Sequence, residues 1–529
     1  MTATAAPEPA TGGARAPVSA RVAGLAAALT GLVAAGILLA LAEALALVVG
    51  SAGSPLLAIG SVVIDHVPKG VKELVIGLFG TNDKLVLLLS LGLGVAVGAA
   101  VAGILEYARR PIGVVLFGLA ALLGVAAVVT RPGAGVLDAL PTVVGAVVGI
   151  LFLRLVLARL RRWRAGTRSA AATDGDRRVF LRVTLLGAAG TVVVGAGARL
   201  GSAALAGARA ARDAVTIPSA TRRVTVPEGA ELGVRGISDL YTADADFYRI
   251  DTALSVPQLD PATWRLTIGG LVDREVTLSY ADLLAMGVQE FSITMTCVSN
   301  EVGGNLIGTA KWLGVPLRDV LKLAGPSGSA DMVLSTSTDG YSAGTPLEAL
   351  TDPKRDAILA VAMNGKPLPR EHGFPVRMVV PGLYGYVSAT KWVTDLKVTR
   401  FADDQGYWVP RGYAAKAPIK LSSRLDTPTA SADLSAGAIT LGGVAWAQPV
   451  GVRGVQVSID DGSWQDATVS TPVNGDTWVQ WKLDWTAKTG LHYIEVRAID
   501  RDGTVQTGAR TAPLPNGSTG HQRVLLRVA

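Results

Sequence analysis

Ionisable side chains are distributed so unevenly along this 529-residue chain that they divide it before any motif is considered. Four runs, about 22–50 (with Glu43 inside), 85–105, 112–130 and 139–158, are uncharged or nearly so, and each approaches the ~20 residues that carry an α-helix across a bilayer. Backbone groups in hydrocarbon must be satisfied within the segment, so these runs predict an N-terminal α-helical transmembrane bundle. Residues 56–63 and 71–79 are apolar but too short to cross, and read as interfacial or re-entrant pieces around Asp65 and Lys69. Residues 1–21, rich in Ala, Pro, Thr and Gly, are expected to be disordered.

With the N-terminus inside, Arg109, Arg110 and the group Arg161, Arg162, Arg164, Arg168, Arg177, Arg178 and Arg182 all fall on the cytoplasmic side. The net charge of +7 is thereby a topology signal, and no nucleic-acid partner is needed to explain it. A weaker, Gly-rich fifth run, 183–198, follows Asp176, Arg177, Arg178, Val179, Phe180, Leu181 and Arg182. That string resembles a twin-arginine export signal and reads equally as the basic flank of an ordinary fifth helix. Both readings put everything after residue 200 outside the cytoplasm, anchored in the cell membrane by several spans. Ala208 and Ala210 permit cleavage, although four preceding spans favour a retained anchor.

The chain is thus expected to divide into a disordered 1–21, a membrane region over 22–200, a linker over 201–236 broken by Pro218 and Pro227, a mixed α and β domain over 237–424, and an all-β domain over 425–529. Trp264, Leu266 and Ile268 alternate with Arg265 and Thr267 as a half-buried strand does, and Ser279 is placed to cap a short helix over 280–284. After about residue 425 helical signals vanish. Val455, Val457 and Ile459 run to a turn at Asp461 and Gly462, and Trp481, Leu483, Trp485, His492 and Tyr493 lie in similar runs, which together predict an immunoglobulin-like sandwich.

Cys297 is the single cysteine, which excludes an internal disulfide and any zinc site built from several thiolates. Phe291, Ile293, Met295 and Cys297 occupy alternate positions of a strand whose other face carries Ser292, Thr294 and Thr296, so the thiol points the way the apolar side chains point. The run then breaks into 298–305, where Gly303 and Gly304 would let backbone approach a ligand closely. A lone inward Cys is most often a small buried hydrophobe. A nucleophile would need a base, and the four histidines, His66, His372, His492 and His521, give no sign of supplying one.

Longer strings add a second line of argument. Phe247-Tyr248-Arg249-Ile250-Asp251, Thr296-Cys297-Val298-Ser299-Asn300, Ala310-Lys311-Trp312-Leu313-Gly314-Val315, Met363-Asn364-Gly365-Lys366-Pro367-Leu368-Pro369, His372-Gly373-Phe374-Pro375-Val376-Arg377, Pro381-Gly382 and Lys391-Trp392 occur in this order. Together they resemble the molybdopterin domain of the sulfite oxidase family over 247–420. Gly443-Val444-Ala445-Trp446-Ala447 and Ser458-Ile459-Asp460-Asp461-Gly462 resemble the family's dimerisation domain. The resemblance does not reach the membrane region.

The resemblance implies an α+β sulfite-oxidase-type domain that binds a molybdenum–molybdopterin cofactor, with Cys297 as the protein's metal ligand. High-valent molybdenum favours sulfur, and one thiolate leaves positions for the oxygen-atom transfer that the cofactor performs on a small-molecule substrate. It further implies that Tyr248, Arg249, His372, Arg377, Ser388, Thr390 and Lys391 contact the cofactor, that Tyr341 and Arg249 act in catalysis beside Cys297, and that the C-terminal domain pairs two copies. Without the resemblance, Arg377 reads as a surface ion pair, His372 as a satisfied loop residue and Tyr341 as a turn tyrosine.

Eukaryotic sulfite oxidases and nitrate reductases follow the ligand Cys with a loop carrying arginines; here Glu301 and Val302 stand instead, and a carboxylate repels an oxyanion unless it points away. The substrate therefore stays open between a sulfite-like species and an S-oxide such as oxidised methionine. The four spans hold no His, so no bis-histidine haem is expected, and electrons must pass to a separate redox partner or a quinone. Glu43 is read as a snorkelling or helix-facing acid. A tethered binding module that has lost its cofactor is the reading from another class, and the joint presence of Cys297, His372 and Arg377 argues against it.

Overall fold

In the computed structural model, residues 19–49, 54–67, 83–131, 134–165, 170–200 and 210–529 are described, with isolated positions between 71 and 79. The expected disordered 1–18, most of the 68–82 segment and Ala208 lie outside the described residues. The chain separates near residue 204 into two compact units.

The first unit is helical: α1 (Ala20–Val49), α2 (Pro55–His66), α3 (Asp83–Ala108), α4 (Ile112–Val129), α5 (Leu140–Ala165) and α6 (Ala170–Leu200). Four stretches, Ala20–Leu47, Lys84–Ala108, Ile112–Val129 and Val136–Ala165, are long and apolar enough to cross a membrane, matching the four runs predicted. Small residues set their spacing. A Cβ on Gly31 of α1 would meet the Ala99 carbonyl of α3, and one on Gly145 of α5 would come within 2.4 Å of the Leu38 carbonyl of α1. Such close backbone approach is how helices associate when no hydrophobic gain is available between them. The short run 56–63 falls in α2, whose N-terminus is capped by Ser54. Residues 176–182 lie inside the continuous helix α6 together with the fifth run.

The second unit contains four sheets. One, ordered β2-β1-β10-β5-β6, pairs β1 (Arg265–Gly270) parallel with β10 (Val393–Thr399); β2 (Val276–Ser279), β5 (Met332–Ser337) and β6 (Ser342–Pro346) complete it antiparallel. As expected, Trp264, Leu266 and Ile268 are buried while Arg265 is exposed. Ser279 caps α7 (Tyr280–Ala285) through a reciprocal box: its hydroxyl accepts from the Asp282 amide at 3.2 Å and its amide donates to Asp282 Oδ2 at 2.9 Å. The other sheet of this domain runs β3 (Gln289–Thr296), β4 (Ile307–Pro316), β7 (Ile358–Met363), β8 (Lys366–Pro367), with β9 (Arg377–Val379) also on β7.

The C-terminal part is two four-stranded antiparallel sheets. They are β11 (Ser422–Thr427), β12 (Gly437–Trp446), β16 (Val479–Ala487) and β15 (Thr468–Val469), and β14 (Gln465–Asp466), β13 (Val452–Ile459), β17 (Gly490–Asp500) and β18 (Gln522–Val528). Leu441, Val457, Trp481, Val496 and Leu526 from both sheets share one core. Asp460 and Asp461 form the turn after β13 with φ of 53° and 58°, a left-handed conformation that Asp tolerates better than most residues.

Residues 210–236 belong to the expected 201–236 linker. They form almost no regular element yet are docked: Arg212 Nε donates to the Leu368 carbonyl at 2.8 Å, the Thr221 amide to the Val288 carbonyl at 2.8 Å, and the Leu232 amide to Gln480 Oε1 at 2.7 Å. Backbone groups that would be free in a tether find partners here.

The main core runs through both parts, because Trp446 and Trp478 join Leu266, Leu317 and Val398 in one cluster. Trp478 is 2% exposed and its indole N–H donates to the Leu240 carbonyl at 3.0 Å. Replacing it with Ala is expected to lower the unfolding free energy by about 3–5 kcal/mol, read from the denaturant midpoint.

Candidate active site

β3 carries the thiol to its place, and both faces of this strand are buried. Phe291, Ile293 and Met295 pack with Trp312 and Phe374. The hydroxyl face is engaged instead by hydrogen bonds: Ser292 Oγ lies 2.7 Å from Tyr241 Oη, Thr294 Oγ1 accepts from the Trp478 amide at 2.8 Å, and the Thr294 carbonyl accepts from Gln448 Nε2 at 2.6 Å. The strand is therefore held from two sides, with no freedom to slip in register.

Cys297 follows directly. Its amide donates to the Leu306 carbonyl at 2.9 Å and its carbonyl accepts from the Asn300 amide at 3.0 Å, closing a turn. Ser518 Oγ donates to the Asn300 carbonyl at 2.6 Å and Arg424 Nη1 to that of Gly304 at 2.8 Å, so the C-terminal part clamps the turn from outside. The two glycines after it pack against protein: a Cβ on Gly303 would meet Gln522 Nε2 at 2.8 Å and one on Gly304 the Asn300 Oδ1 at 2.6 Å, and neither lines the cavity that holds Cys297. Glu301 is exposed and also absent from the cavity wall, so its charge does not oppose an anion there.

Cys297 lines a cavity that is partly open to solvent. Burial pushes the thiol above its ordinary value, and hydrogen bonds from the Ser299 amide and side chain to the sulfur act the other way. Without a cation at the sulfur this thiol stays protonated at neutral pH.

The opposite chemistry lies around Arg377, at the start of β9 and 5% exposed. Its guanidinium donates to the carbonyls of His372 (3.1 Å), Met378 (3.4 Å) and Ala389 (3.5 Å) and lies over the Trp312 ring at 5.2 Å. Among the described residues no carboxylate pairs with it, and burial lowers its pKa to about 10. Lys391 is brought to about 8 by burial, opposed by Asp251, whose Oδ2 accepts from Nζ at 2.7 Å; Nζ also donates to the Glu371 carbonyl at 3.1 Å. Gly373 makes this arrangement possible. Its φ is +111°, and a Cβ there would come within 2.9 Å of Arg377 Cβ and 3.1 Å of Lys391 Cβ.

His372 lines the same wall. Its Nε2–H donates to the Asp244 carbonyl at 3.2 Å, which leaves Nδ1 as an acceptor, and burial together with Arg377 and Lys391 lowers its pKa to about 4. The Tyr248 and Tyr341 phenols, both raised chiefly by burial and then by Cys297, remain neutral hydrogen-bond donors. Tyr341 Oη donates to the Tyr386 carbonyl at 3.0 Å.

Cys297, Tyr248, Tyr341, His372, Arg377 and Lys391 thus meet at one cavity, as expected. Three other expected residues do not line it. Arg249 is 42% exposed and touches the site only through Asp251, 3.0 Å from Nε. Ser388 Oγ donates to the carbonyls of Leu383 and Tyr384, and Thr390 Oγ1 pairs with Ser335 Oγ at 2.7 Å; both shape the 385–391 segment from behind. Asp251, Ser299, Asp339, Tyr386, Trp408 and Tyr413 line the cavity without having been singled out. Asp251 and Ser299 stood inside the matched strings, whereas Trp408 and Tyr413 sit in an irregular segment with no periodic signal.

The oxidoreductase molybdopterin-binding domain model matches residues 253–408. The chain carries an oxidoreductase molybdopterin-binding domain and is similar there to sulfite oxidases. Mitochondrial sulfite oxidase of Mus musculus is 31% identical over 311 residues, covering 50% of this chain and 56% of that protein, and the Homo sapiens enzyme 29% identical over 364 residues, covering 58% and 64%. The chain thus spans somewhat under two thirds of the length of these relatives. A nitrate reductase [NAD(P)H] of Hordeum vulgare is 35% identical over 170 residues, 27% of this chain and 19% of that protein. Among solved structures, the sulfane dehydrogenase SoxCD of Paracoccus pantotrophus aligns with a TM-score of 0.48 at 22% identity, over 56% of this chain and 85% of that one.

The cavity of this molybdopterin-binding domain fits molybdopterin on its own chemistry. A thiol that ionises only beside a cation lies in the same cavity as a buried guanidinium lacking a protein anion, and the cofactor supplies both a metal and a phosphate.

Neutral His372 gives the domain a pH signature. Between pH 6.5 and about 4 an unfolded histidine holds a proton that the folded ring does not, so stability falls as pH drops through that window. The His372→Gln variant should lose about 3 kcal/mol less than the native chain between pH 7 and pH 4, measured by denaturant unfolding.

Proposed function

We propose that the chain is a membrane-anchored molybdopterin-dependent oxidoreductase that performs two-electron oxygen-atom transfer on a small substrate, with its catalytic domain outside the cytoplasm. The observation that carries this reading is the pairing, in one cavity, of the sole thiol with a buried, carboxylate-free Arg377. The four apolar helices are compatible with the anchor, and the arginine pattern at 109–110 and 161–182 supports the orientation.

Molybdenum bound by a pterin dithiolene and one thiolate supplies the two-electron chemistry. In this reading Cys297 holds the metal, while Arg377 and Lys391 hold anionic and polar parts of the cofactor, and His372 offers Nδ1 to a donor on it. Tyr248 keeps its proton and can donate a hydrogen bond toward oxygen near the sulfur, whereas Tyr341, whose proton goes to the Tyr386 carbonyl, can accept one there. Arg249 orients Lys391 through their shared Asp251, and Ser388 and Thr390 position the segment that bears Lys391. A separate redox partner or a quinone takes or gives the electrons, and the paired C-terminal sheets, read as an immunoglobulin-like sandwich, join two copies.

A second reading, reduction of an organic S-oxide, is favoured by one observation. Tyr341, Tyr386, Trp408 and Tyr413 line the cavity, and their rings form a chain of contacts with Tyr407 at centroid separations of 5.1–5.8 Å. Such a wall suits a substrate with an apolar, polarisable body better than a small oxyanion.

Protein purified from a molybdenum-competent host should contain about one molybdenum per chain by elemental analysis, and Cys297→Ser should lose it; metal-free native protein would overturn the proposal. Sulfite oxidation and sulfoxide reduction, assayed side by side with artificial electron carriers, separate the two readings. Turnover of sulfite alone would eliminate the second.

A further inference from the structure

Within the helical unit, the C-terminal ends of α3 and α5 border an open recess lined by Tyr107, Ala108, Arg161, Arg164 and Ala165. Arg161 reaches from α5 to the end of α3, where Nη2 donates to the Glu106 carbonyl and Nε to the Tyr107 carbonyl at 3.4 Å. These are carbonyls that a helix terminus leaves without partners. Arg164 Nη1 donates to Tyr107 Oη at 3.1 Å, and the two guanidinium carbons lie 5.7 and 5.9 Å from the Tyr107 ring centre.

Positive charge here exceeds the protein's own counter-charge. Arg110 acts on Arg161 as a third cation, and the carboxylate that acts on it is that of Glu106. Glu106 is fully buried with Oε2 accepting from the Val114 amide at 3.1 Å, and among the described residues no ion pair joins it to Arg161. Arg161 Nη1 is buried with no hydrogen-bond partner, while Arg164 is exposed. Tyr107 Oη accepts from Arg164 and so keeps its own proton to donate.

An apolar stripe on α3 leads to this recess. Val97, Val101 and Ile104 are exposed along one face of α3 at helical spacing and are followed one turn later by Ala108. On α5, exposed Val147 and Leu151 lie on the face that Arg154 and Arg161 continue. A free anion would use only the cations, whereas a molecule with a phosphate head and acyl chains uses both features.

We propose that this recess binds the phosphate headgroup of an anionic phospholipid, with Arg161 and Arg164 as its charged ligands and Tyr107 as a hydroxyl donor. The inference rests on the membrane reading of the four helices. Basic recesses at the cytoplasmic ends of spans are suited to such headgroups because the lipid phosphate is delivered at that depth.

The test uses the full chain in phosphatidylcholine nanodiscs doped with phosphatidylglycerol, with retained lipid counted by native mass spectrometry. The native protein should keep one phosphatidylglycerol, Arg164→Gln should keep it at about tenfold lower occupancy, and Arg162→Gln, an exposed arginine of α5 outside the recess, should behave as native. Equal loss in both variants would mean diffuse surface attraction and overturn the site. Displacement of the lipid by millimolar inorganic phosphate would make free phosphate the ligand and overturn it too. Release of the chain from carbonate-washed membranes would instead sink the membrane reading, an outcome distinct from loss of lipid specificity.

Discussion

A guanidinium buried with carbonyl oxygens as its hydrogen-bond partners is the constraint on which the second unit turns. Desolvating the Arg377 charge is costly, and the carbonyls of His372, Met378 and Ala389 offset part of that cost without neutralising it. The remaining positive potential falls on the cavity that Cys297 also lines. Burial first, with that potential adding to it, keeps His372 neutral and depresses Lys391, so the wall presents fixed donors, one open acceptor and an unbalanced cation. A scaffold of this kind is prepared for an anionic, multiply hydrogen-bonding group before that group arrives.

The thiol's position depends on parts of the chain that never touch the cavity. β3 is fastened on its hydroxyl face by Gln448 and Trp478, and the turn after Cys297 by Arg424 and Ser518, all from the C-terminal part. Since Trp446 and Trp478 also enter the main core, the C-terminal sheets act as a second support for the position of Cys297. Site geometry held by packed strands and paired hydrogen bonds is more exact than geometry held by loops alone.

Much of this site was legible because its residues stand in short strings around turns. Phe247 to Asp251, the run through Cys297, and 372–377 each deliver a cavity residue at the place where a strand or turn ends. The readings that failed concern direction. Ser388 and Thr390 belong to the right segment but turn away to satisfy carbonyls and Ser335, and Arg249 is one carboxylate removed from the wall. Gly303 and Gly304 serve close packing against Gln522 and Asn300, not ligand approach, and Glu301 faces outward. Side-chain direction in an irregular segment is set by neighbours distant in the chain, which no local period records.

The amino-acid sequence by itself determined the four long apolar helices, the strand that leads to Cys297 and the all-β character of the last hundred or so residues, because each is a matter of local period and of which side chains water excludes. Tertiary structure decided the rest. That Arg377 is buried and free of carboxylate, that Lys391 shares Asp251 with Arg249, that residues 210–236 are docked, and that the rings of Tyr386, Trp408 and Tyr413 converge on the thiol's cavity all follow from contacts between segments far apart in the chain. Burial and charge pairing are properties of the assembled core, and they come into being only when those segments meet.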